Sequence, residues 1–213
     1  MTEHSAELLP VLPLDDVVVL PHMTVTVAVQ GEGQRAAIEA ANQGNHLVLL
    51  VPRIDGKFGS IGTVARVQES GKLPTGAEVS ILTGQHRARL GAGQADVGGA
   101  LWVQVDPVPD GENPSEATVE LAREYRALVE SLLEIRGAAG AIQFLREARN
   151  PGHLADLAGY SPDFSLAQKL EVLETIDVEE RLKKVIAWTK ETLGEADLKD
   201  RIRTEVAEGM QKT

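Results

Sequence analysis

The sequence predicts an α+β fold, in which a β domain with one helix precedes an α-helical bundle. Three observations support this prediction. The first half contains short alternating or wholly apolar segments separated by turn residues, which is typical of strands. The second half has apolar residues at helical spacing. Between the halves, prolines at 107, 109 and 114 interrupt both patterns, because proline breaks helices and strand ladders alike.

The predicted strands lie near 16–20, 24–29, 47–51, 61–68, 77–83 and 101–106. One helix is expected among them, with Ala37, Ile38 and Ala41 on one face and Gly44 at its end. The loop 71–76 has glycine at each end and proline inside, which favours a hairpin between its flanking strands. This succession of short strands predicts a barrel or a sandwich.

The second half predicts several capped helices. The first begins at Ser115, a capping box formed by Ser165 and Gln168 opens another, and Asp177 caps a long one. A continuous helix over 178–211 would extend about 50 Å, more than a small bundle covers, so we expect its end to protrude. Its apolar stripe, at Leu198, Ile202, Val206 and Met210, is too narrow for a buried helix. A protruding helix without a stop signal looks like the start of a longer protein, and the alternative is a frayed terminal helix.

We place the domain boundary at the prolines. The predicted units are a β domain over 1–106, a proline-rich linker over 107–114, and a helical bundle with a long C-terminal helix over 115–213.

Composition and charge exclude several classes of function. The 213 residues carry 21 Lys and Arg against 32 Asp and Glu, a net charge of −11 that repels phosphate backbones, so nucleic acid is not an expected partner. With no cysteine, disulfides, thiolate zinc sites and cysteine nucleophiles are excluded. The longest wholly apolar runs have five residues, such as 47–51, and we expect no membrane association. An intracellular protein fits these features.

Motifs for catalysis are weak or missing. The segment 31–36, GEGQRA, resembles a dinucleotide fingerprint, but the strands after it do not alternate with helices as a doubly wound sheet requires. Glycine at a strand-to-helix turn explains the segment equally well. No phosphate-binding loop is encoded, the five histidines lack metal-ligand spacing, and Ser60 is only a weak candidate for a nucleophile. We therefore predict neither a catalytic residue nor a metal site.

Several strings resemble a known family in the family's own order. They are LPVLPLDDVVVLPHM at 9–23, IGTVARV at 61–67, KLPTG at 72–76, GQHRARL at 84–90, LADLA at 154–158 and QKLEVLETIDVEERL at 168–182. Together they resemble the N-terminal domain of Lon, an ATP-dependent serine protease. The resemblance implies a PUA-like β-barrel with one helix, followed by a C-terminal α-helical bundle that ends in a long protruding helix.

The resemblance also implies a function without chemistry in this chain. The chain is expected to be a non-catalytic fragment that recognises unfolded, damaged or regulatory protein substrates and supports assembly of a homo-hexamer. Its partners would be those substrates and the protease's own ATPase and protease modules, in the cytoplasm. No cofactor is expected in this chain, whereas the missing ATPase module would use ATP and magnesium. The alternative is a free-standing adaptor or scaffold of the same domain type.

Substrate contacts are expected on accessible apolar surface, because unfolded chains expose apolar side chains. The first candidates form the turn at 20–23, and its methionine, Met23, suits a surface that accepts many sequences. An equally open interpretation is that Leu20 and Met23 pack under the end of the barrel. The full set of candidate substrate-binding residues is Leu20, Pro21, His22, Met23, Leu73, Pro74, Leu82 and His86.

Overall fold

The computed structural model describes residues 7–211, and the side chains within that range except those of 94–97 and 208–211. The strands are β1 (Glu7–Asp15), β2 (Thr24–Ala28), β3 (Leu47–Ile54), β4 (Lys57–Phe58), β5 (Ile61–Lys72), β6 (Glu78–Val97) and β7 (Ala100–Val108). The α-helices are α1 (Gly31–Gln43), α2 (Glu116–Ile135), α3 (Ile142–Glu147), α4 (Pro151–Asp156), α5 (Leu166–Glu174) and α6 (Val178–Gln211), with short 3₁₀ turns before α3 and after α4. The predicted α+β class is confirmed.

The strands of the first half close into a barrel. β1 pairs antiparallel with β7 and parallel with β3, so the order β1-β7-β6-β5-β3 returns to β1. β2 adds to β6 outside this ring, and the short β4 adds to β3. Of the two architectures left open by the sequence, the structure shows the barrel, in which pairing around the ring leaves few free strand edges.

The prediction of a strand at 16–20 is wrong. The first strand, β1, lies just before these residues. Residues 7–10 of β1 pair with β7, and residues 11–15 pair with β3, so each part of β1 has one hydrogen-bonded neighbour. Such edge-like pairing tolerates Pro10 and Pro13, which in a central strand would remove ladder bonds. Asp16 then turns the chain with a φ of 55°, and residues 17–20 run without a partner strand.

The other predicted strands are confirmed, and several are longer than predicted. β5 and β6 form the expected hairpin, closed by the Leu73 amide donating to the carbonyl of Ala77 at 2.9 Å. β6 continues for 20 residues, well beyond its predicted end at 83, with shifts of register against β5 and β7. The sequence pattern did not predict this continuation, because glycines at 84, 91 and 93 weaken the strand pattern there.

The predicted helix starts are confirmed by their caps. The Ser115 hydroxyl accepts from the amide of Thr118, Ser165 and Gln168 form the reciprocal capping box, and the Asp177 carboxylate accepts from the amide of Glu180. Each cap satisfies backbone donors that the first helical turn leaves unpaired.

α6 is continuous through Gly194 and extends past the rest of the bundle. Leu198, Ile202 and Val206, near its end, are more than half exposed. Nowhere in residues 7–211 is a helix both long and apolar enough to cross a membrane.

A shared apolar core joins the barrel to the bundle. One cluster of buried side chains includes Leu12 and Val48 from the barrel together with Tyr125 and Leu154 from the bundle. A second cluster lies wholly inside the barrel. β7 extends to Val108, two residues into the segment predicted as a linker, and the division into 1–106, 107–114 and 115–213 stays a prediction.

Replacing Gly84 by alanine should destabilise the protein by about 1–3 kcal/mol, because a Cβ there would lie 2.6 Å from the carbonyl oxygen of Leu20. Gly71 on the same hairpin is the matched control, since a Cβ at that position meets nothing within 4 Å. Urea denaturation of both variants checks this, and equal midpoints for the two would contradict it.

Candidate functional site

The predicted turn at 20–23 lies against the bundle and is mostly buried. Leu20 is fully buried and Met23 is 6% exposed, and the Leu20 amide contacts the Met23 sulfur at 3.3 Å. The His22 amide donates to the carbonyl of Gly84, and the Gly84 amide donates to the carbonyl of Met23, both at 2.9 Å. Of this turn, only His22 is exposed. Leu20 and Met23 therefore pack under the barrel's end, the second of the two interpretations.

The other predicted contact residues do not form one surface with the turn. Leu82 is buried in the core, and His86 is partly buried on the same strand. Leu73 and Pro74 are exposed at the tip of the β5–β6 hairpin, beyond Glu78 and therefore more than about 13 Å along β6 from Leu82. The assignment of these residues to substrate binding stays a prediction.

His22 contacts a second histidine across the boundary between barrel and bundle. Its ring centroid lies 4.1 Å from that of His153 on α4, with the planes tilted by 31°. Burial and the neighbouring charge of His22 lower the pKa of His153 below its ordinary value, against the opposing effect of Asp156 and Glu147. The contact therefore favours uncharged His153.

A buried ionic cluster ties the barrel to three elements of the bundle. Arg87 on β6 donates to both carboxylate oxygens of Asp156 at 2.7 and 2.8 Å, and all of these side-chain atoms are essentially inaccessible to solvent. Arg87 also donates to the carbonyls of Val172 and Leu173 near the end of α5. One barrel side chain thus fixes the positions of α4 and α5.

Arg181 on α6 completes the cluster. It donates to Asp156 at 3.1 Å and to Asp110, in the segment between barrel and bundle, at 2.6 Å. Its other donors reach the carbonyls of Thr175 and Ile176. Burial alone would lower the pKa of Arg181, but the charges and hydrogen bonds of Asp156 and Asp110 raise it above its ordinary value. Asp156 therefore faces two permanently charged guanidinium groups.

An apolar groove of about 390 Å³ opens on the bundle. It lies between α2, the α3 region, the segment 157–164 and α6. Its floor includes buried Tyr125, Leu132 and Leu145, whereas Phe144 is 64% exposed and Tyr160 is 52% exposed at its mouth. The floor residues are uncharged, because Leu132 and Leu145 are apolar and burial raises the pKa of the Tyr125 hydroxyl well above its ordinary value. We call this feature the apolar groove.

The sequence reasoning missed both the apolar groove and the ionic cluster. The available signal was the placement of the aromatic residues. The chain has 3 Phe, 2 Tyr and 2 Trp, seven in all, and four of the seven line the apolar groove. Those four are Tyr125, Phe144, Tyr160 and Phe164. An aromatic-poor chain that concentrates its aromatics in one half favours a site there.

We also searched the described residues for a group of side chains that could bind a metal ion. Among those residues, no group of three or more histidine or acidic side chains comes together closely enough to hold a metal ion.

A closed barrel joined to a helical bundle that opens an apolar groove to solvent is typical of a binding module. The family model described as "ATP-dependent protease La (LON) substrate-binding domain" matches residues 8–191. The chain belongs to this family, and the resemblance found in the sequence is confirmed.

Curated relatives agree over nearly the whole chain. The Lon protease of Salinispora arenicola is 41% identical over 205 residues, which are 96% of this chain and 26% of that protein. The Lon protease of Mycolicibacterium smegmatis is 38% identical over 98% of this chain and 27% of its own length. The chain thus spans about a quarter of the length of these relatives.

Solved structures show the same fold. The N-terminal domain of Mycobacterium avium complex Lon protease matches with a TM-score of 0.79 and 37% identity, over 86% of this chain and 98% of that one. The Lon N-terminal domain protein from Xanthomonas campestris matches with a TM-score of 0.64 at 22% identity, which supports the fold alone.

Replacing Asp156 by asparagine should destabilise the protein by about 3–5 kcal/mol, because it leaves buried Arg87 without a carboxylate partner and Arg181 with Asp110 alone. Asp15→Asn is the matched control. Asp15 also receives two hydrogen bonds from one arginine, Arg53, at 2.6 and 2.7 Å, but that pair lies on the surface. Urea denaturation should show a far smaller change for the control, and comparable losses would contradict the role of burial.

The stability of the protein should fall as pH drops below 6.5, the ordinary pKa of His153. The unfolded chain protonates His153 near that value, whereas the folded chain does so only at lower pH, so acid favours unfolding across this window. His153→Gln should make stability depend less on pH between about 7 and 5.5. Exposed His46 provides the control variant His46→Asn. An unchanged pH slope in His153→Gln would refute this expectation.

Proposed function

We propose that this chain is the non-catalytic, substrate-recognising N-terminal part of an ATP-dependent Lon-type serine protease. It captures unfolded, damaged or regulatory proteins in the cytoplasm and leaves cleavage to other modules. ATP and magnesium would serve the ATPase module of the same protease. Membership of the Lon substrate-binding family supports this proposal.

The apolar groove is the observation that carries the proposal. Soluble proteins seldom leave large aromatic side chains at the mouth of an apolar cavity unless that surface binds a partner. Phe144 and Tyr160 are exposed there, and aromatic side chains contribute much of the binding energy in protein interfaces. A side chain entering the groove from solvent would add contacts to these rings.

The chemistry of the groove explains selection of unfolded chains. Its uncharged floor accepts apolar or aromatic side chains, which folded proteins keep inside and unfolded chains expose. Leu73 and Pro74, exposed on the hairpin tip, are candidates for a second contact with a long substrate. Leu20, Met23 and Leu82 are buried, so they would act by packing beneath the binding surface and not by contacting the substrate.

Assembly support is the second part of the proposal. The C-terminal part of α6 extends past the bundle with three apolar side chains exposed at four-residue spacing, namely Leu198, Ile202 and Val206. A helix of this kind suits contacts with other modules or subunits of a homo-hexamer.

The test is binding of a protein held unfolded by reduction and carboxymethylation, measured by fluorescence anisotropy. The wild-type chain should bind the unfolded form and not its native form. Phe144→Ser should weaken binding by about fivefold or more, because the variant removes an aromatic contact at the mouth of the groove. Phe58→Ser is the matched control, since Phe58 is 47% exposed on the barrel and outside the groove.

Two results would contradict the proposal. One is the absence of binding to the unfolded protein. The other is equal affinity of the wild-type and Phe144→Ser proteins, because recognition would then lie elsewhere on the chain.

A further inference from the structure

The apolar groove continues into a second, polar groove of about 590 Å³ between the end of α2, α5 and α6. Arg136, Asp163, Phe164 and Thr192 line both grooves. An extended segment anchored in the apolar groove can therefore continue along the polar groove without leaving the surface.

The charges of the polar groove are only partly compensated. Arg136 and Asp163 form a pair with two hydrogen bonds, and Asp200 pairs with Arg203. Glu191 and Glu195 also line the groove, and no ion pair holds either of them among the residues described. The groove is also lined by Lys199, which lies on α6 four residues beyond Glu195 and has no ion pair among the residues described.

We infer that the preferred segments carry a lysine or arginine about two residues from the apolar or aromatic side chain that fills the apolar groove. This inference rests on the proposed function and names its substrate class. The basic side chain would contact Glu191 or Glu195, whose carboxylates are exposed and open to a new partner. A negative net charge of −11 on the whole chain also favours basic segments on approach.

The spacing follows from the geometry of α6. Thr192 lines both grooves, and Glu195 lies three residues further along the helix, a rise of about 4.5 Å. An extended chain advances about 3.3 Å per residue. The basic residue therefore lies one or two positions along the segment from the anchor residue. A lysine or arginine stem bridges the remaining distance to the carboxylate.

The carboxylates tune selectivity, whereas the apolar groove supplies most of the affinity. Ion pairs at exposed positions are weak and screened by salt. We expect a basic residue to improve binding by about two- to fivefold at low salt over an acidic residue at the same place.

The experiment uses three short peptides with the same dye and a Gly-Ser background. One has phenylalanine followed two residues later by lysine, the second has glutamate in place of the lysine, and the third has serine in place of the phenylalanine. Anisotropy titrations at low salt should rank the Phe/Lys peptide first, and high salt should remove its advantage over the Phe/Glu peptide.

Variants of the chain assign the effect to the polar groove. Glu191→Gln with Glu195→Gln should abolish the preference for lysine over glutamate. The matched control is Glu120→Gln with Glu205→Gln, which removes the same charge from exposed positions outside both grooves and should retain the preference.

The outcomes separate this inference from the proposed function. Equal binding of the Phe/Lys and Phe/Glu peptides, with both weakened by Phe144→Ser, overturns the inference and leaves the proposed function standing. A preference that persists in the Glu191 and Glu195 double variant also overturns it. Failure of every peptide to bind, or binding indifferent to Phe144→Ser, overturns the proposed function itself.

Discussion

The carboxylate of Asp156, buried between the guanidinium groups of Arg87 and Arg181, is the constraint on which the arrangement of barrel and bundle depends. Apolar contacts across the boundary are strong but hardly directional, whereas planar guanidinium groups require defined angles and partners. Because these arginines also bind backbone carbonyls at the end of α5 and just before α6, the cluster fixes where one helix stops and the next begins. A displaced helix would leave buried charge unpaired, which is costly.

The apolar groove depends on this arrangement. The lining segment 157–164 follows directly after Asp156, and α6 contributes both Arg181 to the cluster and Thr189 to the groove. The floor is held by packing and stays uncharged, while the aromatic rings at the mouth remain accessible. A preformed groove loses little conformational entropy on binding, so under the proposed function modest contacts would suffice for capture of varied segments. In the further inference, the carboxylates of Glu191 and Glu195 add selectivity through charge.

Local features were predictable from the sequence because they depend on neighbouring residues. Ser115, the Ser165 capping box and Asp177 satisfy backbone groups within one helical turn, so a short pattern marks each helix start. The hairpin at 71–76 follows from its own glycines and proline. The strand at 16–20 was predicted wrongly because its apolar run is buried without a partner strand, while β1 accommodates prolines by pairing one side at a time.

The sequence by itself determined the class of fold, the acidic and aromatic-poor character of the chain, the helix caps, and the resemblance to the Lon family. Only the tertiary structure decided that Leu20 and Met23 are buried, that Arg87 meets Asp156, and that aromatic residues from distant segments line one groove. The physical reason is the separation along the sequence of the residues that interact. Hydrogen bonding within a turn is encoded by adjacent residues, whereas convergence of side chains far apart in sequence is set by how whole elements pack.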